Sequence, residues 1–204
     1  MSSTSSIASD IALVPANCFE PFDFAAIFSR EAPIQVDLGC GDGSFLATLA
    51  AENSAKNFLG IDRLQGRVNS ACRKIERAGL TNARVTRFEI SYAVEHLLPP
   101  DSIEAFYLLF PDPWPKRRHA ARPLVNSNFL ASLHRALLPG GGVHIATDEL
   151  EYFRQIARVV SSSDDFSLVA NPRSVLPLSK FERGFRGRGI PIQRLELRKL
   201  SPVT

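Results

Sequence analysis

Apolar positions along this chain follow two rhythms that alternate. Short apolar runs that read as strands occur at 34–38, 57–61, 83–88, 103–110 and 143–146, and segments of helical period separate them. Leu46 and Leu49 share one face of the first helical stretch. Val68, Ala71, Cys72 and Ile75 stripe the next, which stops at Gly79, a suitable C-cap. Pro123 is read as opening a further helix with Leu130, Leu133 and Leu137 inward, ended by Pro139-Gly140-Gly141-Gly142, and Leu150, Phe153, Ala157 and Val160 stripe the last. This alternation predicts an α/β fold with a parallel sheet covered by helices on both faces. Segments 166–170 and 192–197 alternate with no helical pattern between them, so they predict a C-terminal antiparallel hairpin joined by a long basic loop, 171–191. The expected total is a mostly parallel, seven-stranded sheet. Met1 to about Ala16 is rich in Ser and small residues and reads as a mobile tail, which leaves residues 1–20 outside a single domain spanning 21–204.

Composition narrows the class. The 204 residues are 45% hydrophobic and 22% charged, the balance of a soluble globular protein able to bury a core without disulfides. No apolar run approaches the ~20 residues of a membrane span, and the first basic residue is Arg30, so neither a secretory signal nor an Arg-rich transit peptide is read. Cys18, Cys40 and Cys72 lack metal-ligand spacing, so reduced thiols, a cytoplasmic setting and no metal are expected. The net charge is only +3, but residues 171–204 carry eight basic side chains against two acidic ones. Lys116, Arg117, Arg118 and Arg122 form a second cluster. Each alone reads as a solvated face; brought together by the fold, they would suit a polyanion.

The richest chemistry lies where strands end. The first strand runs into Asp37-Leu38-Gly39-Cys40-Gly41-Asp42-Gly43, and the second ends in Asp62, nineteen residues after Gly43. Glycines there let the backbone turn sharply and approach a ligand, and an acid at the second strand end can accept from both ribose hydroxyls of an adenosine. The spacing is Gly-x-Gly-x-Gly, whereas a pyrophosphate site uses Gly-x-Gly-x-x-Gly. Asp37 would repel a pyrophosphate and suit the cationic methionine end of S-adenosylmethionine. Glu89, at the end of the third strand, is placed to meet the adenine.

After the fourth strand comes Phe110-Pro111-Asp112-Pro113-Trp114-Pro115-Lys116-Arg117-Arg118-His119. Its prolines fix φ near −65° and remove donors, so the loop is stiff, and two of them flank Asp112. Guanine N7 carries a free lone pair, so an enzyme acting there must supply placement rather than a base, and orientation can contribute ~7–11 kcal/mol of the barrier. A carboxylate can also accept from the ring N–H and exocyclic amine of guanine, a paired contact worth ~1–3 kcal/mol. A methyltransferase acting on an exocyclic amine would be expected to show Asn or Asp followed by Pro-Pro and an aromatic residue, which this chain lacks.

Segments 37–41 and 110–119, with Leu138-Pro139-Gly140-Gly141, Thr147-Asp148 followed by Tyr152, and Ser179-Lys180-Phe181-Glu182, resemble the bacterial tRNA guanine-N7 methyltransferases. The resemblance covers nearly everything after Phe22. It implies a Rossmann-like class I methyltransferase fold with S-adenosylmethionine as methyl donor and tRNA as partner, the target being a variable-loop guanosine. It implies cofactor contacts at Asp37, Gly39, Gly41, Asp62, Glu89 and Asp112, with Asp112 also the active-site acid. It implies substrate contacts at Lys116, Asp148, Ser179, Lys180, Phe181 and Glu182, and no obligatory protein partner is evident. Three departures stand out: Glu89 where the family often has Asp, Ser179 where it commonly has Thr, and fewer basic residues after His119. Read on their own, Asp148 fits equally a helix cap, and Trp114 fits packing under the loop somewhat better than stacking on a base. The remaining alternatives are a methyltransferase of another RNA guanine, a silent RNA-binding subunit on the same fold, and a nicotinamide oxidoreductase.

Overall fold

Strand 34–38 is buried at every position, as a central strand covered on both faces must be. The computed structural model describes residues 11–112, 123–169 and 176–200, with backbone only at 180 and 181. Its elements run β1 (Ala12–Leu13), α1 (Phe24–Phe28), β2 (Ile34–Leu38), α2 (Ser44–Glu52), β3 (Asn57–Asp62), α3 (Gln65–Arg77), β4 (Ala83–Arg87) and α4 (Ile90–Tyr92). A π-helical turn, Ala93–Leu97, continues α4. There follow β5 (Ile103–Leu109), α5 (Ser127–Ala136), β6 (Leu137–Thr147), α6 (Leu150–Ser161), β7 (Phe166–Leu168), α7 (Lys180–Arg186) and β8 (Gln193–Lys199).

The strands form one sheet in the order β1-β4-β3-β2-β5-β6-β8-β7. Only the β6–β8 and β7–β8 pairings are antiparallel. From β2 the chain moves outward through β3 and β4 on one side and through β5 and β6 on the other, so the crevice at the carboxyl ends of β2 and β5 is the switch point where such sheets bind ligands. One face packs Val36, Leu38, Leu59, Ile61, Phe106 and Leu133, among others, under α1, α4, α5 and α6. The other packs Phe45, Leu46, Phe58, Val68, Ile75 and Val85 under α2 and α3.

Four local expectations give way to tertiary structure. Residues assigned to the tail join the sheet: β1 pairs parallel with β4, and Ile11 is 2% exposed. The sheet therefore has eight strands, the eighth too short to carry a period of its own. Helix α5 starts at Ser127 rather than Pro123, because Asn126 caps it by accepting from Phe129 N–H at 3.1 Å. Leu137 belongs to β6, opposite Ile103, and Lys199 Nζ donates to its carbonyl at 2.7 Å. The buried stripe of α6 is Tyr152, Ile156 and Val160; Leu150 is 46% exposed, since docking on β6 and β8 rotates the face the periodicity selects.

A fifth difference matters for function. The long basic loop read between the last two strands contains α7. No apolar stripe announces that helix, because a cap and ion pairs hold it.

Candidate active site

β2 and β3 run in register, Asp37 opposite Gly60 and Leu38 opposite Ile61, and this brings Asp37 and Asp62 to the same carboxyl edge, each 3% exposed. The chain then turns back over β3: the Gly39 and Cys40 N–H groups donate to the Ile61 carbonyl at 2.8 and 3.0 Å. Gly41 N–H donates to Asp62 Oδ2 at 3.0 Å, and Leu64 N–H to its Oδ1 at 2.9 Å. Gly39 and Gly41 both have left-handed φ, 82° and 57°. Gly43 is constrained twice, by a φ of 75° and by packing that would set a Cβ 2.5 Å from that of Ala71 on α3.

Among the described residues, no hydrogen bond or ion pair engages the Asp37 carboxylate. Burial, and then the neighbouring charge of Asp62, push its pKa up to about 8. A buried acid beside a second acid fits a cationic ligand, which would supply the missing counter-charge. The ammonium of S-adenosylmethionine is such a group, and its ribose hydroxyls suit Asp62.

A brace not read from the sequence steadies this turn. Lys74 on α3 donates to Asp42 at 2.6 Å and to Ser44 Oγ at 2.6 Å. Burial raises the Asp42 pKa, but the hydrogen bonds from Lys74 and Ser44 outweigh it and hold the group at about 2. Glu89 follows β4 and is exposed. Its Oε2 accepts from Tyr92 N–H at 2.9 Å, so the structure gives it the N-cap of α4.

β5 and β6 are parallel neighbours, Leu109 opposite Ala146, and Asp112 and Asp148 follow their carboxyl ends. Phe110 N–H extends the ladder by donating to Ala146 O at 2.7 Å. Phe110 takes φ 55°, a conformation costing a bulky residue roughly 1–3 kcal/mol. Asp112 is exposed. Asp148 is half-buried and does not cap α6, whose N-cap is Glu149. Tyr152 projects beneath this edge, 2% exposed, and its hydroxyl has no hydrogen-bond partner among the described residues. Burial, opposed by the nearby Val125 backbone and reinforced by the charge of Asp112, pushes its pKa above the ordinary tyrosine value.

The Ser179–Glu182 segment has an unexpected layout. Ser179 is the N-cap of α7, its Oγ accepting from Glu182 N–H at 3.1 Å. Glu182, 4% exposed, accepts from Arg194 on β8 and from Arg186 at 2.8 Å. Both residues therefore build and anchor the helix. Lys180 and Phe181 form its first turn, and their side chains lie outside the described residues, as do Lys116, Trp114 and His119. Among the described residues no group of His, Cys, Asp or Glu is arranged to hold a metal, and no helix is long and apolar enough to cross a membrane.

A parallel sheet with its switch point at β2 and β5, a glycine turn, and acids at the ends of β2 and β3 define a class I methyltransferase. Solved structures agree at the level of the fold. An rRNA methylase from Streptococcus thermophilus superposes with a TM-score of 0.57 at 16% identity, over 83% of this chain and 88% of that one. The antibiotic-resistance methyltransferase Kmr gives 0.60 at 17%, over 89% and 93%. Residues 31–194 match the family described as "Putative methyltransferase". The tRNA (guanine-N(7)-)-methyltransferase of Syntrophotalea carbinolica is 36% identical over 184 residues, 88% of this chain and 79% of its own. The enzyme of that name from Geobacter metallireducens is 34% identical over 201 residues, 96% and 95% of the two chains. The chain belongs to the tRNA (guanine-N(7)-)-methyltransferase family.

Proposed function

We propose that this protein transfers a methyl group from S-adenosylmethionine to N7 of a tRNA guanosine, at a variable-loop position, with Asp112 orienting the base. The observation that carries the reading is family membership at 34–36% identity over most of the chain. The buried acids Asp37 and Asp62 at the carboxyl edge support it. Bound S-adenosylmethionine supplies a methyl on a positively charged sulfur, which keeps the bond pair as N7 attacks. The protein's own residues bind and orient. Asp37 meets the methionine ammonium, Gly39 and Gly41 let the backbone close on it, Asp62 accepts from the ribose, and Glu89 borders the adenine. Asp112 accepts from the guanine ring N–H and exocyclic amine, holding N7 in line; no proton need be removed before attack. Lys116, Lys180 and Phe181 contact the RNA, Asp148 stands beside the base, and Ser179 and Glu182 act by shaping α7. The setting is cytoplasmic, where unmodified tRNA is present.

The test is methyl transfer from labelled S-adenosylmethionine to unmodified tRNA, with the product nucleoside and its position identified by mass. The expected product is 7-methylguanosine in the variable loop. Another methylated nucleoside would overturn the reading of the Asp112 loop, and 7-methylguanosine elsewhere would overturn its position alone.

A further inference from the structure

We infer that Phe185, on α7, is a positioning residue that holds the Asp112 loop in its working conformation through the ring of Phe110. The inference rests on the reading of Asp112 given above. Phe110 directly follows β5, two residues before Asp112 and immediately before Pro111. Its φ of 55° is unfavourable for a bulky side chain, and the residue before a proline is normally driven to extended backbone. Such a conformation persists only when its surroundings hold it. Among the described residues, two contacts help to do so: the hydrogen bond from Phe110 N–H to Ala146 O at 2.7 Å, and the Phe185 ring, centred 5.3 Å from that of Phe110 and tilted by 44°.

Phe185 is itself held. The Arg188 guanidinium lies over its ring at 5.2 Å, Ile190 N–H donates to its carbonyl at 3.0 Å, and Glu182 ties the helix to Arg194 of β8. The same helix carries exposed Arg183 and Arg186, the latter paired with Glu182. A helix that carries exposed arginines and also sets a ring against Phe110 joins substrate docking to the placement of Asp112.

The test compares Phe185→Ala, Phe185→Tyr, Asp112→Ala and the Phe185→Ala/Asp112→Ala double variant in steady-state methylation of unmodified tRNA. S-Adenosylmethionine affinity is measured alongside. Phe185→Ala is expected to lower kcat by up to roughly a hundredfold, the effect of misplacing a reacting group by about 1 Å. KM for tRNA and donor affinity should hold, Phe185→Tyr should restore turnover, and the double variant should be no slower than Asp112→Ala. The chain's single tryptophan, Trp114, lies two residues beyond Asp112, so its emission should also shift in Phe185→Ala and return in Phe185→Tyr. Unchanged kcat in Phe185→Ala, a rise in tRNA KM alone, or fully additive losses in the double variant would overturn the inference. Wild-type turnover in Asp112→Ala would instead overturn the reading of Asp112, and this inference with it.

Discussion

Asp37 is the residue whose environment makes the sharpest quantitative prediction. Its carboxyl is buried beside Asp62, and its pKa stands at about 8 against an ordinary 3.8. Because the folded value lies above the unfolded one, the neutral acid favours the folded state fully below about pH 4, and that contribution is lost as pH rises toward 8. Across this window the ligand-free fold should lose up to about 1.4 kcal/mol per pH unit from this group, one pKa unit being worth that much. Asp37→Asn imitates the neutral acid and removes the slope. The assay is urea unfolding of the ligand-free protein at pH 6, 7 and 8, wild type against Asp37→Asn. The wild type should fall behind the variant progressively as pH increases. The same proton must leave when a cationic ligand binds, so S-adenosylmethionine affinity should rise with pH up to about 8, by at most roughly tenfold per unit, and Asp37→Asn should bind weakly at every pH. Parallel stability slopes in the two proteins would refute the reasoning, since they would mean Asp37 is already ionised in the empty pocket.

The other predictions concern the reaction edge and the RNA face. Asp112→Ala should leave S-adenosylmethionine binding measurable by calorimetry while cutting turnover severely; near-wild-type turnover removes Asp112 from the reaction. Tyr152→Phe deletes a buried hydroxyl that has no hydrogen-bond partner among the described residues, so it should stabilise the protein by about 1 kcal/mol and raise Tm by about 2–4 °C; a fall in Tm on calorimetric scanning would show that the hydroxyl is bonded, the Val125 backbone being the nearest candidate. Lys180→Glu with Arg183→Glu should weaken tRNA binding and flatten its dependence on salt. An unchanged salt slope would take α7 off the RNA.

Much of this protein is written locally in its sequence. The apolar runs of β2 to β6 and the stripe of α3 follow from residue type and period, since each strand is buried on both faces and each helix on one. The glycine turn, Asp37, Asp62 and the Pro-flanked Asp112 are equally local, because backbone conformation and strand ends demand those residue types there. What lay outside local reach depends on partners distant in the chain. Ala12–Leu13 becomes a strand only because β4 offers an edge to pair with. α7 has no apolar stripe and forms because Ser179 caps it and Glu182 finds Arg194 across the turn, so Ser179 and Glu182, which the resemblance implies as substrate contacts, have roles in holding the helix that the sequence did not announce. The raised pKa of Asp37 arises first from its burial in the sheet and then from the parallel register of β2 and β3, which sets Asp62 beside it. The contact between Phe185 and Phe110 joins residues seventy-five positions apart. The sequence by itself determined which side chains are available for the chemistry and on which element each sits. The tertiary structure decided which of them share a low-dielectric edge and which hold the others in place, because burial, charge coupling and ring packing are properties of distance in space.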